Sequence, residues 1–138
     1  MYHGYNPDQY DEDFALPDAT TGYSDDFVWR GKTNGKIRLL VIAQTAISIA
    51  TDKYFYVEFM AGSSANPTAN PKAEVHTELI RHTSADGVLA WTAGEVMIDY
   101  AIPEALLASD DLYFCLLFTT EANESSELCD ILVVMDGV

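Results

Sequence analysis

The chain has 138 residues, 49% of them hydrophobic, and its 22 Asp and Glu outnumber 7 Lys and Arg to give a net charge of −15. A single domain of this size buries about two-thirds of its unfolded surface, enough for a core without disulfide or metal. The charge argues against nucleic acid and against an anionic membrane as partners, because both are bound through Lys and Arg.

Residues 1–26 read as an acidic, Tyr-rich N-terminal arm. Tyr2, Tyr5 and Tyr10 are separated by Gly, Pro and acids, with Asp8, Asp11, Glu12 and Asp13 close together and no period of 2 or 3.6. This polar start has no signal-peptide pattern, so the expected compartment is a cytoplasm. Residues 27–138 read as one sandwich domain. Phe27 to Arg30 is its first strand, and Asn34-Gly35 is a hairpin signal. Strands are expected at Ile37 to Ile42, Thr45 to Ala50 and Tyr54 to Ala61, the last with Phe55, Val57 and Phe59 on one face. A long loop from Gly62 to Lys72 follows. Glu74 to His82 then alternates, as does Glu95 to Ile102, where Val96, Ile98, Tyr100 and Ile102 oppose Glu95, Met97 and Asp99. Asp86-Gly87 is a second hairpin-type dipeptide before Val88 to Trp91. Pro103 to Leu107 is a short helical candidate, and Leu112 to Thr120 and Leu128 to Asp136 close the chain. About eight short strands without a long amphipathic helix predict an all-β fold, an antiparallel β-sandwich or jelly-roll.

Candidate chemistry is sparse. His76, Glu78 and His82 fall on one face at period 2, and His with carboxylate is a metal-ligand mixture; a solvent-facing polar strip explains the same pattern. Asp8, Asp11, Glu12 and Asp13 lack the order of an EF-hand loop. No Gly-x-Ser-x-Gly elbow or Gly-rich phosphate loop occurs. The expectation is therefore a protein without catalytic residues, cofactor or metal. Trp29 and Trp91, with Tyr23 and Tyr100, offer an aromatic platform for a sugar or, equally, core packing. Cys115 and Cys129 each sit in an apolar run and are expected as buried reduced thiols. The arm's Tyr2, Tyr5 and Tyr10, with Asp11, Glu12 and Asp13, form the candidate partner-binding set, since tyrosine favours interfaces and the acids would seek Lys or Arg.

Val57-Glu58-Phe59-Met60-Ala61-Gly62-Ser63-Ser64, Ala93-Gly94-Glu95 opening a strand that ends at Ile102-Pro103, Leu112 to Phe118 and the closing Ile131 to Asp136 form a further pattern. It resembles the jelly-roll cement (decoration) proteins of tailed bacteriophage capsids, in particular the Bordetella phage cement protein family. The likeness covers roughly residues 37 to 136, and the acidic arm departs from it. It implies a virion protein on the outer capsid surface that binds the major capsid protein and forms a homo-oligomer, a dimer or a trimer. The alternative from the residues alone is a carbohydrate-binding β-sandwich module.

Overall fold

The computed structural model describes residues 3–30, 36–62, 75–83, 85–107, 111–121 and 127–136. Among them run eleven strands: β1 (Gln9–Ala15), β2 (Thr20–Tyr23), β3 (Phe27–Arg30), β4 (Lys36–Ala43), β5 (Ile47–Ile49), β6 (Phe55–Gly62), β7 (Val75–His82), β8 (Leu89–Trp91), β9 (Val96–Ala101), β10 (Asp111–Thr120) and β11 (Leu128–Asp136). One helical turn, α1 (Glu104–Leu107), follows Pro103 as expected. The Asn34-Gly35 signal and most of the long loop after Gly62 lie outside the described residues.

The strands form antiparallel sheets. The first has the order β1-β11-β4-β9. In the second, β2 and β3 pair in succession along one side of β10, with β6 and then β7 on the other. A two-stranded sheet joins β5 to β8. The core lies between the two large sheets. Leu39, Val41, Ile131 and Val133 enter it from the first, and Phe55, Val57, Phe59, Phe114, Leu116 and Phe118 from the second. The fold is thus the expected all-β antiparallel sandwich. The face assigned to Phe55, Val57 and Phe59 is the buried one.

Two expectations change. The segment 1–26 contains β1 and β2, each built into a sheet, where an arm without elements was expected. The physical reason is visible in the pairing. β1 carries few apolar residues, but its backbone adds to the edge of β11 and its polar side chains find partners distant in sequence. Gln9 donates from its amide to the Val28 carbonyl (2.8 Å) and accepts from the Val28 N–H (3.0 Å), so one side chain ties the first sheet to the edge of β3. The second change is at bulges. Between β4 and β9 the register slips so that Val41 faces Ile98 and Ile42 faces Val96. Met97 packs against the core and Val96 is left 44% exposed, the reverse of strict alternation.

The first sheet is apolar on both faces. Leu40, Ile42, Leu132 and Val134 point away from the core, yet Leu40 and Ile42 have no exposed surface. Tyr5 packs against this strip. Its neighbour His3 contacts Asp130 through Nε2 at 2.8 Å, and Asp130 is only 1% exposed. The same carboxylate accepts from the Asp13 N–H (3.0 Å) and the Gln44 amide (3.1 Å). Asp13 has φ +57 at the point where β1 bulges opposite Asp130. The N-terminal segment is therefore a strap laid across the outside of the first sheet. Truncating its anchor, Asp130→Ala, is expected to destabilise the fold by about 1–3 kcal/mol, because a charged acceptor for several donors is lost. Urea denaturation measures this, and unchanged stability contradicts the anchoring role.

Candidate functional site

The expected partner-binding set divides once placed. Tyr2 lies outside the described residues. Tyr5 is turned inward on the apolar strip. Asp13 receives a hydrogen bond from the Gln44 amide besides its backbone contact with Asp130. Asp11 accepts from the Asp25 N–H at 2.9 Å, joining β1 to the segment between β2 and β3. Tyr10 differs from these. It pairs with Leu132 in register, and half of it, 50%, stays exposed. Exposed Asp8 and Asp13 and half-exposed Glu12 flank it along the strand.

The titration of Asp11 is displaced. Burial raises its carboxyl above the ordinary range, the Asp25 N–H draws it back, and the charges of Asp25 and Asp130 add to the rise. Asp86, Glu95 and Asp99, by contrast, are held below the ordinary carboxylate range. Asp99 is lowered by its two-pronged pairing with Arg38 (Nε–Oδ1 3.0 Å, Nη2–Oδ2 2.6 Å). Lys53 pairs with Glu121 at 3.4 Å and Arg81 with Glu78 at 3.2 Å. Three of the chain's few cations are thus matched by its own acids, which leaves the surplus negative charge for the surface.

His76, Glu78 and His82 are not brought together. Register slips between Val57 and Glu58, so that Ile80 faces Val57 and Glu78 faces Glu58, with Leu79 as the extra residue. One inserted residue reverses every later side chain. His76 and Glu78 stay outside, where His76 Nε2 meets Glu58 Oε1 at 3.0 Å. His82 turns inward to 4% exposure, its two ring nitrogens against the carbonyls of Lys53 (2.8 Å) and Gly87 (2.5 Å). No group of three metal-capable side chains exists among the described residues. Asp86-Gly87 forms a turn closed by Thr83, with the Asp86 N–H on the Thr83 carbonyl at 3.0 Å. It links β7 to β8, which belong to different sheets, and so makes no hairpin.

The proposed aromatic platform is likewise dispersed. Trp29 is 6% exposed within the main core, and its indole N–H has no hydrogen-bond partner among the described residues. Trp91 is half-buried, its ring edge-on to Phe55 at 6.1 Å. Tyr100 packs on Phe59 at 5.0 Å. Only Tyr23 of that group is largely exposed, at 44%. Sequence reasoning missed Val88, 63% exposed, in a shallow groove with Leu79, Ile80 and Leu89. Its signal was present, since Val88 stands directly after a turn dipeptide. Cys115 and Cys129 are buried reduced thiols on β10 and β11, which lie in different sheets. Burial, then the Asp130 and Asp11 charges, push the Cys129 thiol far above its usual range.

Compared with known proteins, the chain matches no family model, no curated protein and no solved structure. No helix among the described residues is long and apolar enough to cross a membrane.

Asp11 supplies a pH test. Its raised folded-state pKa means that its contribution is fully present below the unfolded pKa and is lost as pH rises through the folded one. Asn keeps an oxygen for the Asp25 N–H and has no charge to desolvate. Asp11→Asn is therefore expected to be more stable than the parent at neutral pH, with the difference closing in acid. Denaturant midpoints at the two pH values measure this; a variant less stable at neutral pH contradicts it.

Proposed function

We propose that this chain is a non-enzymatic capsid decoration protein of jelly-roll type. It binds major capsid protein subunits on the outside of a phage head and stabilises the shell, as a dimer or a trimer. The reading is supported by the resemblance of residues 37 to 136 to the cement proteins and by the sandwich fold that carries it. The observation that carries the binding chemistry is Tyr10. A half-exposed tyrosine on an edge strand, flanked by Asp8, Glu12 and Asp13, offers an amphipathic anchor inside a negative field. Such a surface selects a cationic patch and speeds its encounter.

An oligomer that bridges neighbouring shell subunits makes each later contact intramolecular, so modest single-site affinity is enough to hold a lattice. The carbohydrate alternative would use Trp29, Trp91 or loop tyrosines, and it draws less support from the tryptophans, since Trp29 is buried and Trp91 packs edge-on to Phe55.

The test is co-sedimentation with undecorated heads assembled from the major capsid protein of the same virus. Tyr10→Ala combined with Glu12→Lys is expected to weaken binding by about tenfold or more, the loss of one interface anchor. Rising salt should weaken the parent protein as well. A parent that does not bind such heads, or a double variant that binds as tightly, overturns the reading.

A further inference from the structure

His82 closes β7, and the bulge at Leu79 turns it inward to 4% exposure. Its Nδ1 lies 2.8 Å from the Lys53 carbonyl and its Nε2 2.5 Å from the Gly87 carbonyl. A carbonyl oxygen only accepts, so both ring nitrogens must donate to make both bonds. Neutral imidazole has one N–H and imidazolium has two. In the neutral ring one lone pair faces a carbonyl oxygen at hydrogen-bond distance with no proton between them.

The two carbonyls belong to different turns. Lys53 ends the turn between β5 and β6, closed by its own N–H on the Ala50 carbonyl at 3.1 Å. Gly87 stands in the turn between β7 and β8, closed by the Asp86 N–H on the Thr83 carbonyl and by the Thr83 N–H on Asp86 Oδ2 at 2.8 Å. The strand pairs on either side, Phe55 with His82 and Ile49 with Leu89, are held by backbone and not by the ring. Releasing Gly87 therefore gives up a single hydrogen bond. Its turn is also the freer of the two. Ala85 to Val88 are exposed, and a Cβ added at Gly87 meets nothing within 4 Å. Val88 lines the groove with Leu79, Ile80 and Leu89.

The surroundings accept a cation, because a buried charge is tolerable when it is hydrogen-bonded and faced by an opposite charge. Asp86 supplies that charge from the turn: the Thr83 N–H holds it ionised, and the charge of His82 acts in the same direction. The Lys53 ammonium pairs with Glu121 at 3.4 Å. On the outer face, Arg81 pairs with Glu78 and lies over the Tyr56 ring, on which Tyr54 stacks. From β6 and β8, Phe55 and Leu89 bring no charge.

We propose that His82 is a proton-operated clip between the two turns. Charged, it holds both carbonyls; neutral, it lets Gly87 go and frees the turn that carries Val88. The clip closes in acid and opens as the pH rises through the titration of the ring. It is independent of the capsid reading.

Nitrogen NMR of the full chain tests this in acid and in base, at about pH 5 and about pH 9, on either side of the ordinary histidine range. In acid, His82 is expected to show two ring N–H signals, with Gly87 and Val88 amides as rigid as strand backbone, at order parameters of about 0.85. In base, one ring N–H is lost and the two order parameters fall to about 0.6 or below. A single ring N–H in acid, or order parameters that do not change with pH, overturns the proposal.

His82→Gln separates this ring from the other histidines, since its amide takes up no proton in this range and turns an oxygen toward one of the carbonyls. Its Gly87 turn is expected to be mobile in both buffers. A pH-dependent loosening that persists in the variant belongs to His3 or His76 and overturns the clip.

Discussion

Asp130 accepts hydrogen bonds from three parts of the chain while almost wholly removed from water. An ionised carboxylate in that position is tolerable only when it is met by donors, and His3, the Asp13 N–H and Gln44 supply them. The same contacts fix the path of the N-terminal segment over Leu40, Ile42, Leu132 and Val134. An antiparallel sheet in a sandwich usually gives one face to water. Here β4 and β11 are apolar on both faces, so the first sheet needs a cover, and the strap provides part of it. Burying a side chain such as Leu40 or Ile42 stabilises by roughly 1.5–3 kcal/mol, a gain that depends on the cover staying in place.

This constraint redefines the acidic N-terminal segment. Its residues divide between holding the fold and facing solvent. Tyr5 is turned inward and Asp11 and Asp13 accept hydrogen bonds from the body of the fold, while Tyr10, Asp8, Glu12 and Asp13 also present surface to solvent. A docking surface made from a structural strap is preorganised, so a partner binding there does not have to order a free tail first. The ion pairs of Arg38, Lys53 and Arg81 act in the same direction, since they neutralise much of the scarce positive charge and leave the surface field negative.

The strands from Phe27 onward were legible because their apolar residues recur at period 2 between turn residues, and the core that forms from Phe55, Val57 and Phe59 follows that pattern directly. β1 was not legible. Gln-Tyr-Asp-Glu-Asp-Phe-Ala has little apolar periodicity, and its stability comes from β11, Val28 and Asp25, none of them visible in a local window. Bulges account for the other differences. His82 was expected at the strand's end on the same face as His76 and Glu78, but the extra residue at Leu79 turns it into the interior, and a bulge leaves no periodic signature. Trp29 and Trp91 were open to either reading from sequence; Trp29 is buried in the core and Trp91 is half-buried against Phe55.

The central claim is that the N-terminal segment is part of the sandwich. Amide hydrogen exchange at Asp8, Asp13 and Leu16 tests it most directly, because their N–H groups bond to Val133, Asp130 and Glu127 respectively. Protection at these three amides that approaches that of β11 is the expected result. Exchange at the rate of an unstructured chain, while β11 stays protected, would contradict the account.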